Sequence, residues 1–267
     1  MVRAIVSGAA GRMGGRIIHM MEGVPGIVLA GAVERPDHPA VGQDVGEVAG
    51  LPKKGITVAG SLADALPQGD VVIEFTHPEP TLANLKAAAE AGKSMVIGTT
   101  GLNTQQVGEL KGLAARSKVV FAPNMSVGVN LLFKVVADIA AVLTEGYDVE
   151  IVEAHHRLKK DAPSGTAIKL AQVIAQALNR DLDKVGVYAR HGMIGQRTAA
   201  EIGIQTVRAG DITGEHTVIF GGIGERLEVI HRAHNRDNFA KGAVRAALWI
   251  VDQKPGLYDM QDVLGLK

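Results

Sequence analysis

The amino-acid sequence predicts an α/β chain in two parts: a Rossmann-type domain with a parallel sheet, and a second α+β domain with a mixed, mostly antiparallel sheet. Three observations carry this expectation. In the first half, short β-branched runs alternate with helical stretches, the rhythm of a parallel sheet with crossover helices. The first run, residues 3–7, passes directly into the turn Gly8-Ala9-Ala10-Gly11-Arg12-Met13-Gly14. Beyond Ser126 the rhythm changes, and strand-like runs follow one another with no helix between them.

Strands are expected at residues 3–7, 27–33, 70–75, 94–97 and 118–122, apolar enough to be buried on both faces of a doubly wound sheet. Helices are expected at 13–21, 78–91 and 104–116, the second with Pro78 in its first turn and Gly92 at its end. In the second part a long helix at 126–145, a strand at 148–154 and a helix starting near Ser164 precede strands at 202–208, 216–220 and 226–232. A final helix at 238–251 follows that sheet and is placed back on the first domain. This divides the chain into a dinucleotide-binding domain, residues 1–126 and 237–267, and a second domain, residues 127–236.

Composition narrows the chemistry. The 267 residues contain no cysteine, which excludes disulfides, thiolate nucleophiles and iron–sulfur clusters. Lys plus Arg equals Asp plus Glu at 28 each, so no global field recruits nucleic acid or an anionic membrane. The apolar stretch 127–143 contains Lys134 and Asp138, and the N-terminal run Ala4-Ile5-Val6 is too short for a signal peptide. A cytoplasmic protein with no nucleic-acid or membrane partner is expected. No compact cluster of histidine and carboxylate has ligand spacing, so no metal site is expected.

The turn from Gly8 to Gly14 is a variant of the dinucleotide fingerprint. A sharp bend and a close approach to a pyrophosphate require glycine, and the N–H groups of the helix that follows supply the anion site. Glu34 ends the second strand, about twenty positions after Gly14, where an acidic residue binds ribose hydroxyls. Arg35 follows and can grip a 2′-phosphate, so the pair points to use of NADH and NADPH alike. Gly98-Thr99-Thr100-Gly101 and Ala122-Pro123-Asn124-Met125 lie after later strands, where loops flank the nicotinamide.

The stretch from Glu150 to Ala167 concentrates polar side chains at a strand end and a helix start. His155 and His156 can exchange protons near neutrality, Lys159 supplies a cation or a general acid, and Ser164-Gly165-Thr166 offers hydroxyls and N–H groups to a carboxylate. Ser164 reads as an N-cap, a carboxylate contact, or both. Adjacent histidines on a strand end point to opposite faces, so at most one of the two is central to the chemistry while the other contacts substrate or packs. His191, His216, His231 and His234 lack so dense a setting and read as structural or peripheral.

These residues resemble the 4-hydroxy-tetrahydrodipicolinate reductase family, also called dihydrodipicolinate reductase. The family signature E-[IV]-x-E-x-H-x-x-x-K-x-D-x-P-S-G-T-A is met from Glu150 to Ala167 without a gap, together with the N-terminal G-x-x-G-R-M-G turn. The resemblance covers essentially the full length. It implies reduction of 4-hydroxy-tetrahydrodipicolinate to tetrahydrodipicolinate by NAD(P)H in the diaminopimelate route to lysine, so the substrate is a small cyclic dicarboxylate. By position it assigns His155 as proton donor or acceptor, Lys159 as proton donor, and His156, Gly165 and Thr166 as substrate contacts. Gly8 to Met13, Glu34, Arg35, Gly98 to Thr100 and Ala122 to Met125 align with cofactor contacts. It also implies a homotetramer built through the sheets of the second domain and a hinge that closes over substrate. Two rivals are an aspartate- or homoserine-type dehydrogenase and a non-catalytic NAD(P)-sensing module; neither explains the run from His155 to Ala167.

Overall fold

A computed structural model describes residues 1–267. Strand β1 (Val2–Ser7) leads through the glycine turn into α1 (Arg12–Met21), and β2 (Ile27–Val33) follows. The next stretch forms small elements not expected from the sequence: α2 (Val45–Val48), β3 (Val58–Ala59) and α3 (Leu62–Ala65). They are too short to show a period, and caps define the helices: Asp44 accepts from the N–H of Gly46 at 2.8 Å, and Ser61 from that of Ala63 at 3.2 Å. The alternation resumes with β4 (Val71–Glu74), α4 (Pro78–Glu90), β5 (Ser94–Ile97), α5 (Thr104–Ala114) and β6 (Lys118–Phe121). Helix α4 opens on Pro78, and α5 opens on a reciprocal cap between Asn103 and Gln106.

Then come α6 (Val127–Val142), β7 (Asp148–His155), α7 (Gly165–Ala177), α8 (Leu182–Val185), β8 (Gly186–Val187), β9 (Ile202–Arg208), β10 (Gly214–Gly221) and β11 (Arg226–Ala233). The chain finishes with α9 (Asp237–Ile250), β12 (Gly256–Tyr258) and α10 (Met260–Leu264). One compact unit comprises Met1–Val127 and Arg236–Lys267, and the other Gly128–Asn235.

The first unit is built on a seven-stranded sheet, β12-β6-β5-β4-β1-β2-β3, in which every pairing is parallel. Its strands are buried on both faces, and alternation assigns each residue a side. Ala4, Val6, Ile73, Val96 and Val120 pack with Ile17 and Ile18 of α1 and Ala243, Ala247 and Ile250 of α9. Ile5, Val72, Met95, Ile97 and Val119 face Leu85 of α4 and Leu110 of α5. The apolar stripe of α9 belongs to this core, and Asp237 fixes its start by a two-pronged bond to Arg16 of α1, at 2.7 Å for each arm.

The second unit carries a five-stranded mixed sheet, β11-β10-β7-β9-β8. The pairs β10–β11 and β7–β10 are antiparallel, whereas β7–β9 and β8–β9 are parallel. The parallel register of β7 and β9 follows from α7, which lies between them in sequence and carries the chain back to the starting edge. Val149, Ile151, Ile202, Ile204, Val218 and Phe220 form the inner face and pack against Val136 of α6 and Leu170 and Ile174 of α7. The outer face is uncovered, leaving Val207 and Ile230 each 43% exposed.

Candidate functional site

In the first unit the sheet changes direction between β1 and β4: β2 and β3 extend to one side, and β5, β6 and β12 to the other. Ligands of open α/β sheets bind at the carboxyl ends of the strands flanking such a point. The glycine turn occupies it. Gly8 has φ +72°, and the N–H groups of Gly8 and Ala9 donate to the carbonyl of Val33 at 2.9 and 3.1 Å. A Cβ on Gly14 would lie 2.0 Å from the carbonyl oxygen of Gly8, so α1 can start this close to the turn only with glycine there. Gly11 caps α1 without a side-chain acceptor, and the first N–H groups of the helix are left for an anion. Glu34 sits against the same turn, accepting from the N–H of Ala10 at 3.2 Å and that of Arg35 at 3.1 Å. The Arg35 side chain is 68% exposed, with Asp37 beside it at 3.4 Å. A bare helix start, a turn with no room for a Cβ at Gly8 or Gly14 and an acidic residue at its flank fit the pyrophosphate and ribose of a dinucleotide.

The other cofactor candidates end neighbouring strands. Gly98 donates to the carbonyl of Glu74 at 2.9 Å and lies beneath the Phe75 ring. Thr99 is buried, its hydroxyl bonded to that of Thr81 at 2.8 Å and accepting from the N–H of Thr76 at 3.2 Å, while Thr100 follows it exposed. Ala122 donates to the carbonyl of Ile97 at 3.0 Å, Pro123 is exposed, Asn124 accepts from the N–H of Ser126 at 3.0 Å, and Met125 is buried. Beneath these loops lies Glu74, which sequence reasoning missed. It is fully buried, bonded by the Thr76 hydroxyl and by Asn84 at 2.8 Å, and burial pushes its carboxyl up. Its signal was faint: a single acid closing an otherwise apolar strand.

In the second unit the inner sheet face changes character along its length. On β7 the inward positions read Val149, Ile151, Glu153, His155; on β9, Ile202, Ile204, Thr206, Arg208; on β10, Phe220, Val218, His216, Gly214. The apolar halves form the core, and the polar halves form a row across the sheet where α7 begins. Glu153 is its centre. This fully buried carboxylate accepts from His155 Nδ1 at 2.6 Å, the N–H of Ser164 at 2.9 Å, both Nη atoms of Arg208 at 2.8 Å, and the Thr206 hydroxyl at 3.2 Å. Burial alone would raise its pKa, but the hydrogen bonds from His155, Arg208 and Ser164 outweigh it and hold the group well below the usual carboxylate range.

Ser164 is the N-cap of α7, accepting from the N–H of Ala167 at 3.1 Å, and its hydroxyl also meets His216 Nε2 at 3.1 Å. The serine oxygen thus joins the start of α7 to the imidazole of His216. Gly165 borders open space, and Thr166 follows it in the first turn of α7. Lys159 Nζ donates to both oxygens of Asp161 at 2.8 Å, which lowers the Asp161 pKa. The backbone carbonyl of Asp161 accepts from Arg208 at 2.7 Å, linking the lysine loop to the Glu153 cluster. His155 lies in the inner row, whereas His156 follows the strand end and has a buried Nδ1 with no protein partner.

The sequence reading leaves His216 as structural or peripheral, and the geometry places it inside the inner row. It is 3% exposed, bonded to Ser164, and edge-on to His155 with ring centres 5.3 Å apart. Its partner across the ladder, His231, also faces inward and is half-buried. The signal lay in the alternation of β10, where position 216 is in phase with Val218 and Phe220. Glu153, Thr206 and Arg208 were likewise unassigned, and each is in phase with the apolar inward positions of its strand.

Comparison with known proteins matches both halves. A family model described as dihydrodipicolinate reductase, N-terminus, covers residues 2–125, and its C-terminus counterpart covers residues 128–264. The chain is 56% identical to the 4-hydroxy-tetrahydrodipicolinate reductase of Syntrophus aciditrophicus (strain SB) and 57% identical to that of Syntrophobacter fumaroxidans (strain DSM 10017 / MPOB), with all of each chain covered. Among solved structures, a dipicolinate-bound dihydrodipicolinate reductase from Paenisporosarcina sp. TG-14 superposes with a TM-score of 0.77 at 26% identity over 98% of both chains. An aspartate semialdehyde dehydrogenase from Vibrio cholerae, at 11% identity and a TM-score of 0.55 over 95% of this chain and all of that one, shares the fold alone.

The buried inner row has a measurable consequence. Burial, reinforced by the charge of His155, pushes His216 from 6.5 down to about 3. Below pH 6.5 the unfolded chain therefore takes up a proton that the folded chain refuses, so the contribution of His216 is complete above pH 6.5 and is lost as pH falls towards 3. Urea denaturation should show a loss of up to about 1.4 kcal/mol per pH unit below pH 6.5. The slope between pH 6.5 and 5 should shrink in His216→Gln; an unchanged slope would assign it elsewhere.

Proposed function

The chain belongs to the dihydrodipicolinate reductase family, and we infer that it is an oxidoreductase that reduces 4-hydroxy-tetrahydrodipicolinate to tetrahydrodipicolinate with NADH or NADPH, in the diaminopimelate route to lysine. The observation that carries this reading at the site is the folding of Glu150 to Ala167 into one strand end, one loop and one helix start, with His155 and Ser164 on a shared carboxylate.

Gly8, Ala9, Ala10, Gly11, Arg12, Met13, Glu34, Arg35, Gly98 to Thr100 and Ala122 to Met125 would hold the cofactor, which supplies a hydride when bound. The net reaction takes up that hydride and one proton and releases water. Residues of the second unit manage charge and protons. Lys159 presents an ammonium, oriented by Asp161, that can stabilise or protonate a ring nitrogen gaining electron density. His155 serves as the second acid–base group. The first turn of α7, with Gly165 and Thr166, and the ring of His156 would hold a substrate carboxylate. Ser164 caps that turn and contacts His216, and its hydroxyl would join Gly165 and Thr166 in holding the carboxylate.

We also propose a homotetramer assembled through the uncovered sheet face, where Val207 and Ile230 are exposed and Val152 lies in the same row as Ile230 by way of Thr217. A cytoplasmic location goes with a reaction that consumes NAD(P)H; no helix of the chain is long and apolar enough to cross a membrane.

Three measurements test this reading. Absorbance of NADH or NADPH, followed with the condensation product of pyruvate and aspartate semialdehyde, should fall with the wild type, and Lys159→Ala should lower kcat by about 100-fold or more. Near-normal turnover in that variant would remove Lys159 from the chemistry; activity only with aspartate or homoserine and oxidised cofactor would favour a dehydrogenase. Arg35→Ala should raise the KM for NADPH about fivefold, the scale of one exposed charge contact, and leave that for NADH nearly unchanged. Light scattering should give four times the 27.9 kDa chain mass, reduced in Ile230→Lys. A single-chain mass for the wild type would overturn the tetramer.

A further inference from the structure

Glu153 takes no direct part in the chemistry described above, yet it receives more hydrogen bonds than any other side chain of the second unit. Its donors arrive from every element around it: His155 Nδ1 on its own strand, the Ser164 N–H at the start of α7, and Thr206 and Arg208 on β9. An ionised carboxylate carries no proton, so every one of these contacts requires the hydrogen on the other partner. The 2.6 Å contact with His155 therefore places a hydrogen on Nδ1. In a neutral ring that leaves Nε2 without one.

The remaining neighbours reinforce the arrangement. His155 Nε2 faces Gly214, where an added Cβ would lie only 3.0 Å away, so glycine keeps that nitrogen unobstructed. His216 lies edge-on behind the ring, its Nε2 3.1 Å from the Ser164 hydroxyl, and burial keeps it neutral, so it offers His155 an uncharged wall. Arg208 grips Glu153 with two parallel bonds, a geometry that fixes the plane of the carboxylate as well as its position. Lys159 and its partner Asp161 complete the charged groups nearby, tied to Arg208 through the Asp161 carbonyl.

We propose that Glu153 is a positioning residue: it holds His155 as the Nδ1–H tautomer, leaves Nε2 as the nitrogen that exchanges a proton with substrate, and joins that ring to the helix start that grips the substrate carboxylate. The inference rests on the reading of His155 as an acid–base group. Glu153 is sealed from solvent behind these donors. Its influence passes through the imidazole and through the Ser164 N–H, much as an orienting carboxylate acts in a nucleophile–histidine–acid triad.

A purely structural role for the Glu153–Arg208 pair makes a different prediction, namely lost stability with unchanged tautomer. Histidine labelled with 15N in the full-length protein distinguishes the two. At pH 8 the two-bond correlations of His155, assigned by their absence in His155→Asn, should show a proton on Nδ1 and none on Nε2. The opposite pattern in the wild type overturns the proposal, and this measurement needs neither a variant nor turnover. In Glu153→Gln the amide turns an N–H towards a cluster of donors, and the ring should shift towards the Nε2–H form while kcat falls about 100-fold. Cofactor affinity, titrated by fluorescence without substrate, should not change. The double variant Glu153→Gln with His155→Asn should lose no more activity than His155→Asn alone; additive losses would mark Glu153 as acting independently of the ring and overturn the proposal. Absence of reductase activity in the wild type would instead refute the proposed function, with the tautomer result still readable.

Discussion

A carboxylate sealed from water imposes the strictest demand in the second unit. Burying a charge costs several kcal/mol unless donors replace the lost solvent, and Glu153 meets that demand by collecting donors from β7, α7 and β9. Each donor is a constraint on the element that supplies it. Ser164 must start α7 where its N–H reaches Oε1, Arg208 must end β9 level with His155, and the loop bearing Lys159 must return so that the Asp161 carbonyl meets Arg208. The side chains of this row are thus placed by the solvation of one buried carboxylate.

Glu74 in the first unit shows the same group resolving the same demand in the opposite way. It is equally buried, but its partners are the Thr76 hydroxyl and the Asn84 amide, and no cation pairs with it. Burial then dominates and the carboxyl is pushed up, whereas Glu153, with Arg208 and His155 within reach, is pushed down. One acid stays charged as the anchor of a buried polar cluster. The other sits under the loops at the carboxyl edge of the parallel sheet, where an added negative charge would oppose an anionic cofactor.

Likeness to dehydrogenases at 11% to 15% identity extends over nearly the whole chain, so the two-part architecture is shared with proteins of other chemistries. A fold of this kind does not choose a reaction; the side chains grafted onto it do. In this chain the change from Val149 and Ile151 to Glu153 and His155 along a single strand converts a hydrophobic core into a polar row without altering the backbone that carries it.

Local patterns were legible in the amino-acid order. The alternation of β-branched runs and helices, the glycine turn, Pro78 at a helix start and the Ser164 cap all act over a few residues, and the corresponding elements form with ends shifted by a few positions. The run from Glu150 to Ala167 was visible for the same reason, since its residues are contiguous. What remained hidden is contact between distant positions. Short elements such as α2, β3 and β12 gain their stability from caps and neighbouring strands rather than from a period, and the parallel pairing of β7 with β9 is set by the path of α7. His216 lies 52 positions from the serine that bonds it, and Arg208 lies 55 from Glu153. No local spacing encodes such pairs, because they arise when strands align and the solvation of a buried charge selects which side chains must meet.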